Sequence, residues 1–396
     1  MKKSLHKIVR RTRGRGTELV NIANIDGGIG NDVITGSAGD DVIIGGASSD
    51  ILAGGAGNDT FLVSGSDTAY DRFQGDAGYD VILGSAGDDT IRVNNFSGIY
   101  TVEKIDGGLG VNVIAGTQYN DTIDLSGTEL VNIGKIEGGA GNDVITGSAG
   151  NDLIQGGDGS DVLRDNGGNN LLDGGLGNDS ITGGAGNEFF AGGAGNDTLT
   201  TGNGADIIAF SRGNGQDILY GGVGTDNTLS LGGGIQYSDL ALSKVGNDLL
   251  LEVGAGEQIT LKNWYDTTAN YKSVLDMQVV ADAMATFDPA STDPLLNKAI
   301  QEFDFTSIAN SFDQARGTNS TFMHWSALNT LLPAHLSASD STALGGDLAH
   351  QYGMNGSFAG MNLAAAQDAI NDPQFGTQAQ VLHPLQGLQG GAVSLG

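Results

Sequence analysis

A nine-residue phrase, Gly-Gly-x-Gly-x-Asp-x-(aliphatic)-x, recurs at least sixteen times between Gly27 and Ala209. Its sixth position carries a side-chain oxygen in all sixteen copies, as thirteen aspartates, two asparagines and one glutamate. Its eighth position is always large and apolar, and its glycines permit the positive φ angles of a tight turn. Carboxylate and amide oxygens are the hard ligands that Ca²⁺ prefers. The phrase therefore predicts cation binding by oxygen atoms at the sixth position.

The predicted metal ligands are the sixth-position aspartates, with two more from looser copies that follow Ser211. They are Asp32, Asp41, Asp50, Asp59, Asp80, Asp89, Asp121, Asp143, Asp152, Asp161, Asp179, Asp197, Asp206, Asp217 and Asp226. If copies stack about 5 Å apart, rows of these carboxylates repel one another unless a cation lies between them. We therefore expect metal binding to be coupled to folding.

The elements that position these acids follow from the rest of the phrase. Its last three residues predict one short strand, which cannot bury its apolar side chain unless neighbouring copies stack on it. The copies form four blocks, at residues 27–62, 75–92, 107–124 and 138–209, and the segments between them read as metal-free, strand-bearing coils. A disordered glycine-rich tract would not keep an aliphatic residue in phase, and a metal-free solenoid would not require acidity in one column.

Composition and charge divide the rest of the chain. Residues 1–16 hold seven of the 18 Lys and Arg residues and no acid, and we expect them to be disordered. This start reads either as a polyanion-binding arm or as the product of an out-of-place start codon. Residues 17–229 form the repeat region, and residues 230–280 alternate in a way that predicts a β-rich cap. In residues 281–396 we expect a loosely folded tail with one helix starting at Asp293-Pro294 and another over Leu363–Ile370.

Several classes of protein are disfavoured by the composition. A net charge of −29 repels nucleic acid, and the absence of cysteine removes disulfide and thiolate chemistry. The chain has no apolar run of 18 residues for a membrane span and no recognisable signal peptide. Neither HExxH nor Gly-x-Ser-x-Gly occurs, so we expect no catalytic residues and no enzyme activity. The five histidines are scattered, at His6, His324, His335, His350 and His383.

The repeat array resembles the RTX (repeats-in-toxin) proteins, a family of haemolysin-type, type I secreted calcium-binding proteins. The segment Ser238–Tyr265 is similar to the related segment that often follows such repeats, and the tail is similar to type I secretion regions. The resemblance implies an all-β fold, a parallel β-roll (a calcium-binding β-solenoid) with a β-rich C-terminal cap and a partly helical tail. It implies two nonapeptides per coil, with each Ca²⁺ held by sixth-position aspartates of two stacked turns and by backbone carbonyl oxygens.

The resemblance also implies a secreted, extracellular protein that folds on binding Ca²⁺ and has a structural, adhesive or surface role. Its expected partners are calcium ions, the type I secretion machinery, and a cell surface or other RTX chains. The alternative is the C-terminal repeat and secretion portion of a larger RTX toxin, protease or lipase.

In the longest block one edge would stack four aspartates and bind calcium tightly. The other, which contains Asn170 and Glu188, would bind it weakly or in part.

Overall fold

The computed structural model describes residues 24–65, 69–93, 95–97, 101–222, 226–268, 271–319, 321–377 and 380–381. The predicted basic segment 1–16 and the chain end 382–396 lie outside these residues. The chain divides into two compact units, Met1–Asp158 and Gly159–Gly396.

The first unit is built from short strands that recur with the nonapeptides. They are β1 (Asn24–Ile29), β2 (Val33–Thr35), β3 (Val42–Ala47), β4 (Ile51–Ala56), β5 (Thr60–Leu62), β6 (Arg72–Ala77), β7 (Val81–Leu83), β8 (Thr90–Arg92), β9 (Lys104–Asp106), β10 (Val113–Ala115), β11 (Thr122–Asp124), β12 (Glu129–Val131), β13 (Lys135–Ala140), β14 (Val144–Thr146) and β15 (Leu153–Asp158). Two nonapeptides make one coil, because Asn24 on β1 pairs with Val42 on β3, 18 residues later. This is the predicted parallel β-solenoid.

The strands of the first unit lie side by side in parallel rows. One row has the order β1-β3-β5-β7-β9-β12, a second β2-β4-β6, a third β8-β10-β13-β15, and β11 pairs with β14. The eighth-position residues of all sixteen copies in the chain are buried, and Ile43 and Phe61 are 0% exposed. Burying each such side chain contributes about 1.5–3 kcal/mol, so stacking is what makes the short strands stable. The prediction of an apolar column at the core is confirmed.

The second unit begins with the same kind of coil and ends in mixed structure. Its strands are β16 (Val162–Arg164), β17 (Leu171–Leu176), β18 (Ser180–Thr182), β19 (Phe189–Ala194), β20 (Thr198–Thr200), β21 (Ile207–Phe210), β22 (Gln216–Tyr220), β23 (Asn227–Leu231), β24 (Ala241–Val245), β25 (Asp248–Glu252), β26 (Gln258–Leu261), β27 (Val274–Val280), β28 (Ile300–Asp304), β29 (Phe322–Ser326), β30 (His335–Ser339), β31 (Thr342–Ala343) and β32 (Gln380–Val381). Its helices are α1 (Phe305–Arg316), α2 (Leu328–Ala334), α3 (Gly346–Asn355) and α4 (Leu363–Ile370).

Parallel pairing in the second unit gives way to an antiparallel cap. One row runs β17-β19-β21-β23-β27-β28-β30 and the other β16-β18-β20-β22-β26-β25-β24-β29. Pairing is parallel as far as β27 and β26, and antiparallel beyond them. The meander β24–β26 is the predicted β-rich cap, and it covers the strand edge that the last coil would otherwise leave open.

The tail is folded more closely into this unit than we expected. Strand β28 pairs with β27, with Val280 opposite Ile300, so the expected boundary at residue 281 is not a structural one. The expected helix at Asp293-Pro294 is not formed, because Ile300–Asp304 extends the sheet and the helix begins at Phe305 instead. Its N-cap is Asp304, whose Oδ1 accepts a hydrogen bond from Ser307 N at 2.8 Å. The second predicted helix, over Leu363–Ile370, is confirmed by α4.

None of the helices in the described part of the chain is both long enough and apolar enough to cross a membrane.

Candidate metal centres

The sixth-position side chains form hydrogen-bonded ladders that run from coil to coil. Asp32 N donates to Asp50 Oδ1 at 2.7 Å, and Asp41 N donates to Asp59 Oδ1 at 2.8 Å. In the second unit, Asp179 Oδ1 accepts from Asp161 N at 2.8 Å. Each carboxylate thus satisfies a buried N–H one coil earlier, which would otherwise cost about 1–3 kcal/mol. The alternate copies that were expected to share an edge do share one in the structure.

Burial separates the predicted ligands into three groups. Asp32 is partly buried and Asp226 is exposed, while the other thirteen are buried. The ladder position near Asp226 is taken by Asn227, whose Oδ1 accepts from Asp206 N at 3.0 Å. The predicted register is therefore one residue off at this copy, because the buried apolar residue two positions after the ladder is Leu229.

The second carboxylate oxygen of several ladder residues faces the glycine turn. Within the described residues, the buried Oδ2 atoms of Asp32, Asp59, Asp80, Asp179 and Asp197 have no hydrogen-bond partner. A Cβ atom on Gly27 would lie 2.9 Å from Asp32 Oδ2 and 2.5 Å from Gly45 O. A Cβ atom on Gly54 would lie 2.2 Å from Asp59 Oδ2 and 2.8 Å from Gly75 O. The first glycine of the phrase thus leaves a space lined by a carboxylate and by a carbonyl of the next coil.

This arrangement fits calcium, which takes six to eight oxygen ligands in flexible geometry. Among the residues that the structure describes, no group of three or more His, Cys, Asp or Glu side chains could hold a metal ion alone. Backbone carbonyl oxygens would have to complete each coordination shell, as the resemblance implies. The glycines are required for the same reason, since any side chain at the first position would fill the space between the oxygens.

Burial of the ladder makes its negative charge costly in the absence of a cation. Burial raises the pKa of Asp179 to about 7, with repulsion from Asp197 and Asp161 adding to the effect. Burial likewise raises the pKa of Asp197 to about 6 and, together with repulsion from Asp197, that of Asp217 to about 8. A bound cation would favour the ionised forms and remove this penalty.

A second kind of turn occurs where Ser or Thr replaces the second glycine. Ser37 N donates to Asp41 Oδ2 at 2.5 Å, and Thr117 N donates to Asp121 Oδ2 at 2.6 Å. In these copies the carboxylate is partly engaged by its own turn. The sixteen copies are therefore not equivalent as cation ligands, although their sixth positions are almost all aspartate.

The sequence interpretation missed two acids that belong to the ladders. Asp50 N donates to Asp71 Oδ1 at 2.9 Å, and Asp80 N donates to Glu103 Oε2 at 2.7 Å. Both lie in segments that the nonapeptide count passes over, because these segments have no Gly-x-Gly phrase. A signal was nevertheless present, since each acid precedes by two positions a buried apolar residue, Phe73 or Ile105.

We expect Asp179→Ala to lower calcium affinity and stability more than Asn170→Ala. Asp179 accepts the Asp161 N–H, and its Oδ2 lies 2.3 Å from where a Cβ on Gly174 would be, so it serves two turns. Its loss also leaves the buried Asp161 N–H without its acceptor, at about 1–3 kcal/mol. Calorimetric calcium titration and thermal unfolding of both variants measure the difference. Equal losses in the two variants would show that the two edges do not differ in this way.

The 18-residue coils, the buried apolar column and the acid ladders define a parallel β-solenoid whose glycine turns are lined by carboxylate and carbonyl oxygens. The family model of the RTX calcium-binding nonapeptide repeat matches residues 26–61, 71–98, 106–127, 135–163, 155–187, 164–199, 182–216 and 213–228. This repeat region belongs to the RTX haemolysin-type calcium-binding family.

No curated protein matches the chain. Among solved structures, extracellular lipase LipA from Serratia marcescens is 22% identical, over 65% of this chain and 40% of the lipase chain, with a TM-score of 0.23. The match thus spans less than half of the lipase's length.

Proposed function

We propose that this chain is a secreted RTX protein whose β-roll folds on binding extracellular calcium and then has a structural, adhesive or surface role. The observation that carries the proposal is the set of buried ladder carboxylates whose Oδ2 atoms have no hydrogen-bond donor among the described residues. Leaving such charges buried and uncompensated costs several kcal/mol per ion. A cation that neutralises them thereby contributes its binding energy to folding.

The same coupling supports an export mechanism. Extracellular calcium modules bind with dissociation constants of about 10⁻⁴–10⁻³ M, far weaker than cytosolic calcium buffers. Inside the cell the array would stay unfolded, and outside the cell calcium would complete its folding. The chain contains no cysteine, so calcium would stabilise the exported protein in place of disulfides.

We further propose that the chain is not an enzyme. His324 Nδ1 lies 2.7 Å from Glu252 Oε2, and Ser243 Oγ donates to the same carboxylate. The serine therefore bonds to the acid and not to the imidazole, which a serine nucleophile would need as its base. His335 Nε2 lies 2.8 Å from Gln301 Oε1 and His350 Nε2 lies 2.9 Å from Asp282 Oδ2, so both histidines make contacts within residues 281–396.

The proposed extracellular localisation of this protein can be tested by measuring its export through a type I transporter. The chain lacking residues 382–396, which lie outside the described elements, is expected to remain in the cell while the full chain appears in the medium. Calcium-induced folding of the purified shortened chain should match that of the full chain, which separates an export defect from a folding defect. Secretion of both at the same yield would contradict a type I signal in this segment.

A further inference from the structure

One turn of the second unit departs from the repeat at two positions. Asp165 stands at the first position, which is glycine in the regular copies, and Asn170 stands at the sixth. The two side chains are joined, since Asn170 Nδ2 donates to Asp165 Oδ1 at 2.5 Å. Gly167 N donates to the same oxygen at 2.6 Å. Asp165 is thus held in one orientation by its own turn.

The other oxygen of Asp165 is directed at the turn of the next coil. Asp165 Oδ2 is buried and has no hydrogen-bond partner among the described residues. A Cβ atom on Gly184 would lie only 1.8 Å from it, so this approach requires glycine at that position. Asp165 therefore extends from its own turn into the turn formed by residues 183–188.

A second buried acid lines the same turn. Glu188, at its sixth position, is 0% exposed, and its carboxylate contacts the buried Asp206 carboxylate and the Gly184 backbone N–H without forming a hydrogen bond of normal geometry to any described residue. Its Oε1 lies 2.8 Å from where a Cβ on Gly186 would be, and Gly168 O lies 1.8 Å from the same point. Two carboxylates from successive coils and a backbone carbonyl thus surround one glycine turn.

Residues 370–376 cover the edge of the solenoid that contains this turn. Asn187 Nδ2 donates to Phe375 O at 2.7 Å, and Asn169 Nδ2 donates to Ile370 O at 3.4 Å. Gly376 lies so close to the next turn that its Cβ would be 2.1 Å from Ala205 O. Burial beneath this segment makes uncompensated carboxylates more costly than they would be at an open edge.

We propose that Asp165 is a calcium ligand outside the repeat motif, which with Glu188 and backbone carbonyl oxygens forms a divalent-cation site at residues 183–188. Asp165 supplies the charge that Asn170 lacks at the sixth position of its copy. The edge that contains Asn170 and Glu188 therefore keeps a cation site where the sequence alone predicts a weak or missing one. This inference rests on the proposed calcium binding of the chain as a whole.

The test is a count of bound calcium ions on the full chain by native mass spectrometry at saturating calcium. Asp165→Asn and Asp165→Gly are each expected to bind one ion fewer than the unaltered chain. Asp165→Asn keeps the Oδ1 acceptor of Gly167 and Asn170, so it should fold even if Asp165→Gly does not. The matched control is Asp368→Asn, which removes the same charge from the exposed face of α4 and should keep the full count.

Hydrogen exchange gives a second measurement on the same proteins. Loss of the ion should increase exchange at residues 183–188 and leave the turns of Asp179 and Asp197 protected. A full calcium count in Asp165→Gly, which restores the motif glycine, would overturn the role of Asp165 while leaving the proposed function intact. An unaltered chain that binds no calcium would overturn both.

Discussion

Removal of calcium is expected to abolish most of the β structure of the repeat region. Ladder carboxylates such as Asp59 and Asp197 are buried, and strand stacking places successive coils about 4.8 Å apart. Without cations the ladder carboxylates repel one another. They could be neutralised by taking up protons, but this requires their pKa values in the folded state to be well above the pKa of free aspartate. Short strands of three residues cannot compensate by local propensity, since their stability depends on stacking.

Circular dichroism of the full chain measures this effect directly. The chelated protein should be mainly disordered, gain β structure with a midpoint at about 10⁻⁴–10⁻³ M Ca²⁺, and lose it again with chelator. Magnesium is the matched control, because it demands near-octahedral geometry and gives up its water reluctantly, so it should not replace calcium. A chelated chain with the full β signal would contradict calcium-coupled folding.

Replacement of Phe189 by alanine is expected to destabilise the second unit by about 3–5 kcal/mol. Phe189 occupies the seventh position of its copy, which faces outward from the coil, yet it is 0% exposed. Its ring packs edge-on against Phe358 at 5.5 Å and Tyr352 at 6.5 Å. The mutation therefore removes the aromatic contact between the coil and residues 352–358 and leaves a cavity.

Chemical denaturation at saturating calcium gives the free energy of unfolding. The control is Val33→Ala at the equivalent seventh position of another copy, where the side chain is 49% exposed, and its effect should stay within about 0.5 kcal/mol. Similar changes in both variants would show that the tail does not stabilise the coil through Phe189. The calcium count of Phe189→Ala should be unchanged, because the side chain lies on the outer face of the strand.

Most of the solenoid could be predicted because its information is local and repeated. A spacing of nine residues with an apolar eighth position predicts the coil, and Ile43 and Leu172 are buried as this requires. The same phase predicts which acids share an edge, and the 18-residue ladder from Asp41 to Asp59 follows it. Where the phrase loosens, the prediction loses one residue of register, so that Asn227 and not Asp226 lies in the ladder.

The sequence by itself determined the coil, its apolar column, the acidic sixth position and the cation class that this position suits. Only the tertiary structure decided that the tail folds onto the second unit, that the helix starts at Phe305, and that Asp165 and Glu188 line the same glycine turn. These features depend on contacts between residues far apart in the chain, such as Asn187 with Phe375, 188 positions later. A periodic pattern records the neighbours that recur at each coil. It does not predict which outward face of the solenoid a single, non-repeated segment will cover, because this depends on packing and burial across the whole unit.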